Sequence, residues 1–399
     1  MRLPSPADES ASLATTTLVT FLWSRAAIWI GALLAALTVP WSDEPAQLDP
    51  ARLTHDLGLL VNVWARWDSV WFLRIAEGGY AMDGSPAFYP LYPFVVGLFG
   101  RVLFGHYVLA GVLVSLAAAT GSALLLATLA QRHLGAAGAR RAVLYFAIFP
   151  MSLFLQAVYS ESLFLLLALA AFVCAERRAW WAAGAITGLA MLTRPTGFSL
   201  LAAVAVLAFC SEERLRALGR LAVAPLLFLA YPLLLWAQRG DPFAFAGAEA
   251  TWHRELSVAG PFGGMWHALR ASWAGVLQLT VGSDEHWYWV AENPARVAAM
   301  NLQNTAFLAL YLVLAVVAWR RFGAAYGLFA LLCVLVPASA PTTTYPLLSM
   351  PRFGLVAFPI FLALAALGRS AKIHTVVVAL SAGLLGVYVT QWATWQWVS

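Results

Sequence analysis

Residues Phe146–Phe172 read FAIFPMSLFLQAVYSESLFLLLALAAF. One carboxylate, Glu161, interrupts a run that is otherwise uncharged and largely apolar. A helix of a soluble protein keeps a polar face, so such a run belongs in lipid or at the centre of a helical bundle. The rest of the chain agrees. Of 399 residues, 62% are hydrophobic and 11% charged, with a mean hydropathy of +0.77. A soluble domain is about half apolar and a quarter charged, so a soluble enzyme, a disordered chain and a fibrous protein are excluded. The net charge is +5 at a pI near 9.3, and all the basic residues except Lys372 are Arg. In a membrane chain this excess marks basic cytoplasmic loops, and no nucleic-acid partner is expected. Cys174, Cys210 and Cys333 are too scattered for a disulfide framework or a metal motif. Many of the 18 Trp residues stand where polar and apolar stretches meet, as at membrane–water boundaries.

The polar breaks fall into two sets. Arg132–Arg141, Glu176–Arg178, Ser211–Arg220, Arg320–Arg321 and Arg369–Lys372 are short and basic. Trp41–Pro90, Gln238–Asn301 and Ala338–Arg352 are longer and acidic or aromatic. The positive-inside rule puts the first set in the cytoplasm. An uncleaved first helix from about Thr16 to Pro40 is followed by Val108–Gln131, Ala142–Tyr159, Ser162–Ala175, Ala179–Thr193, Thr196–Cys210, Leu221–Trp236, Leu302–Trp319, Ala324–Val336, Phe353–Leu367 and Thr375–Gln391. The expectation is an all-α, multi-pass protein of the cell membrane with about eleven spans in one domain, residues 1–399. Its first outer loop, 41–90, carries interfacial helices, and 238–301 forms a second large outer loop. Leu91–Gly105 reads as an interfacial helix or a half-span. No internal repeat is visible. Of the 19 acids, five (Asp8, Glu9, Glu176, Glu212, Glu213) fall inside and the other 14 outside. Chemistry that needs acids is therefore expected at the extracytoplasmic face.

In the first outer loop, RWDSVWFLRIAEGGY (Arg66–Tyr80) precedes SPAFYPLYP (Ser85–Pro93). Read as a helix, it puts Trp64, Trp67, Asp68, Trp71 and Ile75 on one face, with Asp68 the sole acid of an aromatic stripe. None of its helical neighbours is basic. The competing reading, a helix cap, fits poorly because Asp68 lies inside the periodic run. The stripe itself reads mostly as an interfacial anchor. Arg74 and Glu77 are spaced to pair, Gly78 and Gly79 to end the helix, and the Pro-rich run to fix the turn that follows.

Glu161 is either a functional intramembrane acid or a first-turn residue of a helix capped by Ser160. The parity of the spans sets Tyr159–Ser162 level with Asp68. Arg194, in LTRPTGF, and Arg352, in SMPRFGLVAFP, sit at outer span ends where loop charge does not explain them. Snorkelling to headgroups is one reading; a bound anion, such as a lipid phosphate, is the other. His253 and His286, in the second outer loop, read as sugar or phosphate contacts or as ordinary exposed histidines. No metal site, cofactor or soluble nucleotide donor is expected, because the chain lacks HExxH, DxD, a P-loop and GxGxxG. A transporter or flippase of lipid-linked sugars is the main rival, but it would carry internal repeats and mid-span charges.

WDSVWFLRIAEGGY with AFYPLYP resembles the first luminal loop of the phosphatidylinositol-glycan class V mannosyltransferases. FPMSLFLQAVYSESLF resembles their second hallmark, and LTRPTG the Arg-containing turn after it. The likeness covers about Arg66–Gly197 and returns faintly at Pro351–Pro359; Tyr89 stands where the family shows a second Phe. The family belongs to the GT-C superfamily. The resemblance therefore implies an inverting glycosyltransferase that moves a sugar, mannose by family, from a polyprenyl monophosphate to a glycolipid, glycan or protein acceptor on the outer face. It also implies that Trp67 and Asp68 match an essential Trp-Asp pair. Asp68 then serves as base, Arg194 and Arg352 steady the donor phosphate, and Trp67, Tyr159, Glu161 and His253 line the sugar or acceptor. A single base without a second nucleophilic carboxylate fits inversion. The Arg-rich, Lys-poor composition points to a bacterial source.

Overall fold

The computed structural model describes residues 6–42, 56–252, 254–282 and 293–398. Every regular element among the described residues is a helix. Five helical stretches are long and apolar enough to cross a membrane: Ala11–Thr38, Tyr107–Ala147, Arg214–Arg239, Pro294–Phe322 and Ala371–Ala393. The chain is thus a multi-pass membrane protein. The remaining apolar helices, among them Glu161–Glu176, Trp180–Met191, Gly197–Phe209, Ala324–Ala338 and Pro359–Leu367, run 9 to 16 residues. Each is shorter than the ~20 residues of a full crossing.

Tyr107–Ala147 is the central pillar. Pro6–Thr38, Leu91–Val102, Glu161–Glu176 and Pro359–Leu367 pack around it. Its buried face is rich in Ala, with Ala119, Ala123, Ala127, Ala130, Ala139 and Ala142 all covered. Small residues let backbones approach closely where apolar burial drives little association. At Gly135 the φ of 71° breaks the pillar into two arms, a conformation that glycine adopts without strain. The pillar starts at Asp56, whose carboxylate contacts His106 and accepts from the Val108 and Leu109 N–H groups at 2.9 and 3.2 Å. That acid satisfies two of the helix's orphan N–H donors and complements its dipole.

One expected segment is built differently. Ala142–Tyr159 is not one outward helix. The helix stops at Ala147, and Ile148–Ser160 continues as turns around a 3-10 helix at Ser152–Leu155. Pro150 lacks an N–H and disfavours helix in the residue before it. Irregular backbone at this depth survives only inside protein, and Phe149–Ser160 is buried throughout. Arg25, from the first helix, donates to the carbonyls of Ala147 and Ser152 at 2.5 Å each. The Leu91–Gly105 segment is a helix at Leu91–Val102, about 18 Å long, with Phe94, Leu98, Phe99 and Val102 exposed. It is too short to span. Its first N–H bonds the Leu192 carbonyl at 2.9 Å, which ties the first outer loop to the turn bearing Arg194.

Candidate active site

The helix of the first outer loop starts later than the 3.6-residue pattern indicates. It runs Ser69–Gly78 and ends at Gly79, φ 78°. Trp67 has φ 53°, a left-handed conformation costly for a bulky residue. Trp64 and Trp67 therefore precede the helix rather than continuing its stripe. Asp68 occupies the cap position that the pattern disfavoured, yet its side chain makes no capping bond. Instead, the Ser69 hydroxyl accepts from the Arg66 N–H at 3.1 Å, and the Tyr159 hydroxyl accepts from the Asp68 N–H at 3.1 Å. With the turn satisfied this way, the Asp68 carboxylate is free to face elsewhere. Arg74 lies over the Trp71 ring at 5.5 Å, and no Arg74–Glu77 ion pair forms among the described residues.

Asp68 faces Arg352, whose Nη1 donates to Oδ2 at 2.7 Å. Arg352 also lies 3.7 Å from Glu161, through Nε to Oε1. Glu161 in turn pairs with Arg194 Nη1 at 2.6 Å, and that nitrogen donates to the Ser160 hydroxyl at 3.0 Å. Four charges from four parts of the chain thus form one chain of contacts: Asp68, Arg352, Glu161, Arg194. Their signs cancel, which buried charges require. Exposure separates their roles: the Glu161 side chain is 0% exposed, the two arginines 12%, and Asp68 22%. Asp68 is the most exposed of the four. Burial pulls the Arg352 proton toward release, but the charges of Asp68 and Glu161 outweigh it and hold the guanidinium above its ordinary range.

Tyr159 sits beneath this row. Its hydroxyl donates to the Arg66 carbonyl at 3.2 Å, and the Arg352 guanidinium lies 5.3 Å from its ring centre. The Val158 N–H bonds the Trp64 carbonyl at 3.0 Å, clamping the outer loop to the irregular segment. Trp67 packs edge-on against Trp395 and Trp397, with centroids 6.0 and 5.0 Å away. The structure thus brings Trp67, Asp68, Tyr159, Glu161, Arg194 and Arg352 together. His253 and His286 lie outside the described residues.

Sequence reading overlooked three contributors. Arg66 is buried and stacks on Trp395 with its guanidinium 4.1 Å from the ring centre; burial pulls its pKa down to about 9. Its Nη1 donates to the carbonyls of Asn62 and Ala65 at 2.6 and 3.0 Å. Trp392, near the end of Ala371–Ala393, donates through its indole N–H to the Val63 carbonyl at 2.7 Å. Arg25 was the third, although a lone Arg in the first apolar run is itself a signal. Buried polar atoms without a hydrogen bond gather here too. They include the indole nitrogens of Trp64, Trp67 and Trp397, both ends of Gln156, and Nε of Arg66, Arg194 and Arg352. Buried polar groups without a partner are rare.

Comparison with known proteins follows the same residues. The pattern of the family described as Mannosyltransferase (PIG-V) matches residues 15–215. The GPI alpha-1,6-mannosyltransferase 2 of Mus musculus is 36% identical over 168 residues, 38% of this chain and 33% of the relative. That of Homo sapiens is 33% identical over 166 residues, again 38% and 33%. The matched stretch thus spans a third of these relatives' length. Among solved structures, the apo oligosaccharyltransferase of Archaeoglobus fulgidus aligns with a TM-score of 0.47 at 14% identity, over 94% of this chain and 56% of that one. The same organism's enzyme in complex with an inhibitory peptide and a dolichol-phosphate aligns at 0.42 and 12%, over 93% and 55%. Because the family pattern runs through half the chain, across the loop holding Asp68 and the turn holding Arg194, the chain belongs to the mannosyltransferase (PIG-V) family.

Proposed function

We propose that the chain is an inverting mannosyltransferase that takes its sugar from a polyprenyl monophosphate and works at the extracytoplasmic face of the cell membrane. The observation that carries this reading is the Asp68 carboxylate, turned away from its cap and held 2.7 Å from Arg352 in a buried, charge-balanced row. In the reaction, the acceptor hydroxyl gives its proton to Asp68 as its oxygen attacks the anomeric carbon from the side opposite the phosphate. The bond from that carbon to the phosphate oxygen breaks, and its electron pair leaves with the polyprenyl phosphate. A phosphate leaving group needs positive charge more than it needs an acid. Arg352 has five N–H donors; Asp68 engages one and Nε faces Glu161, which leaves the rest for the phosphate. Arg194, fixed by Glu161 and Ser160, supplies a second cation. Trp67, beside Asp68, positions the acceptor, which is a glycolipid, glycan or protein, and Tyr159 holds the Asp68 turn from below.

The test uses membranes containing the protein, radiolabelled polyprenyl-phosphate mannose and a lipid acceptor. Asp68→Asn is expected to cut transfer by roughly 10²- to 10⁴-fold, the usual share of a general base. Transfer at the wild-type rate would sink the proposed role of Asp68. Arg194→Ala is expected to weaken donor binding; unchanged donor affinity would remove Arg194 from the site.

A further inference from the structure

At the end of the bundle away from Asp68, a cavity of about 400 Å³ opens between Ala137, Arg140, Arg141, Leu144, Gly368, Ala371 and His374. Its walls come from the second arm of the pillar and from the turn joining Pro359–Leu367 to Ala371–Ala393. The other end of that last helix carries Trp392, which bonds Val63 in the loop of Asp68. The 23 residues of the helix put about 35 Å between the two places, so the cavity is no part of the site described above.

Its charge is unopposed. The sequence holds no Asp or Glu between Asp83 and Glu161, and none after Glu292. Both walls come from these acid-free stretches. Arg140 and Arg141 line the cavity, and Arg369 and Lys372 flank it in the turn. Among the described residues none of the four has a carboxylate partner. Some basic side chains elsewhere are paired: Arg132 and His133 share Glu176, and Arg178 pairs with Glu212.

The cavity is also shaped. Arg141 Nε donates to the Ala365 carbonyl at 3.0 Å, which fixes the root of its guanidinium. The Tyr145 hydroxyl and His374 Nδ1 lie 2.7 Å apart and close one side. A Cβ on Gly368 would stand 2.1 Å from that hydroxyl, so only glycine leaves room for the pair. Leu144 adds an apolar wall, and Ile373 and Val376 beside it are exposed. Cations over an apolar wall at the edge of a lipid-facing helix match a phosphate that continues into hydrocarbon.

We infer that this cavity binds the headgroup phosphate of an anionic membrane phospholipid, independently of the transferase site. The two arginines grip the phosphate, and the acyl chains run along the exposed face of Ala371–Ala393.

The full-length protein, purified in detergent micelles, would be titrated with phosphatidylglycerol or phosphatidylcholine and followed by native mass spectrometry, with thermal melts to check folding. Wild type is expected to retain phosphatidylglycerol over phosphatidylcholine. The R140Q/R141Q double variant should bind it roughly 10- to 30-fold more weakly, from about one kcal/mol per basic residue at a membrane surface. R140K/R141K should recover most of the affinity, and Gly368→Ala should lose affinity without any change of charge. R320Q/R321Q, which removes a basic pair elsewhere, should bind as wild type. Unchanged binding in R140Q/R141Q, an equal loss in R320Q/R321Q, or equal retention of the two lipids would overturn the inference. Displacement of phosphatidylglycerol by millimolar inorganic phosphate would make this a free-anion site and would overturn the lipid assignment.

Discussion

Arg66 and Arg25 are both buried guanidiniums with no carboxylate partner among the described residues, and both are held by carbonyl oxygens. Arg25 bridges two chain segments; Arg66 shapes the turn that ends in Asp68. Its N–H goes to Ser69, its carbonyl takes the Tyr159 proton, and its planar face lies on Trp395. Trp395 has φ 61° and Trp67 φ 53°, each costing on the order of 1–3 kcal/mol. The Arg66 stack holds Trp395, and Trp395 in turn packs edge-on against Trp67. Arg66→Gln is therefore expected to lower kcat at least tenfold with donor KM little changed, because it loosens the base rather than the phosphate site. Arg66→Lys should restore less than half of the loss, since an ammonium neither stacks nor forks. A kinetic comparison of the two variants with Trp395→Phe checks this; full activity in Arg66→Gln would contradict it. At this scale the sequence exposed the oddity of Asp68, Glu161, Arg194 and Arg352 but not their pairing. Asp68 and Arg352 are 284 residues apart, and no periodic pattern links them.

The helices were legible where apolar runs are long and uniform, and hidden where a turn is held by tertiary contacts. Ser69–Gly78 begins after Asp68 because Tyr159 and Ser69 satisfy the turn before it, which local propensity does not encode. Phe149–Ser160 is irregular despite its hydropathy because Arg25 supplies donors from another helix. Arg25→Leu would strand the buried Ser152 carbonyl, while the Ala147 carbonyl keeps the Ser152 hydroxyl at 3.0 Å. The expected loss is about 1–3 kcal/mol, read as a lower melting temperature in micelles, and Arg25→Lys should recover part of it. Met350–Leu355, the short helix carrying Arg352, rests on Tyr311, whose hydroxyl donates to the Pro351 carbonyl at 2.8 Å. A Cβ on Gly354 would stand 2.0 Å from the Tyr311 ring. Gly354→Ala should therefore shift this helix and Arg352 with it, costing about 1–3 kcal/mol by overpacking. Transfer should fall more steeply than stability. A variant that melts late and transfers normally would show that Arg352 needs no such seat.

Across the whole molecule, charge is divided between the two ends of the bundle. The Asp68 end holds a neutral row of four groups. The opposite end holds a tighter knot around Glu176, the last residue of Glu161–Glu176. Arg132 Nη1 donates to it at 2.9 Å, His133 Nε2 lies 3.1 Å away, and the Tyr326 hydroxyl contacts the same carboxylate. These groups come from the pillar and from Ala324–Ala338, so one acid ties three helices. Burial would raise the Glu176 pKa, but hydrogen bonds from His133, Tyr326 and Arg132 outweigh it and bring the pKa to about 2, from an ordinary 4.5. A carboxylate depressed in the folded state contributes stability that is fully present above the unfolded pKa. That contribution is lost as pH falls from about 4.5 through about 2. The group is partly open to solvent, so the contribution is discounted to about 1–2 kcal/mol. Melting followed from pH 6 to pH 3 should show wild type losing stability over the lower part of this window. Glu176→Gln should start less stable at pH 6 and fall less on acidification. Parallel curves for the two proteins would mean that the three helices are held at this end by packing alone.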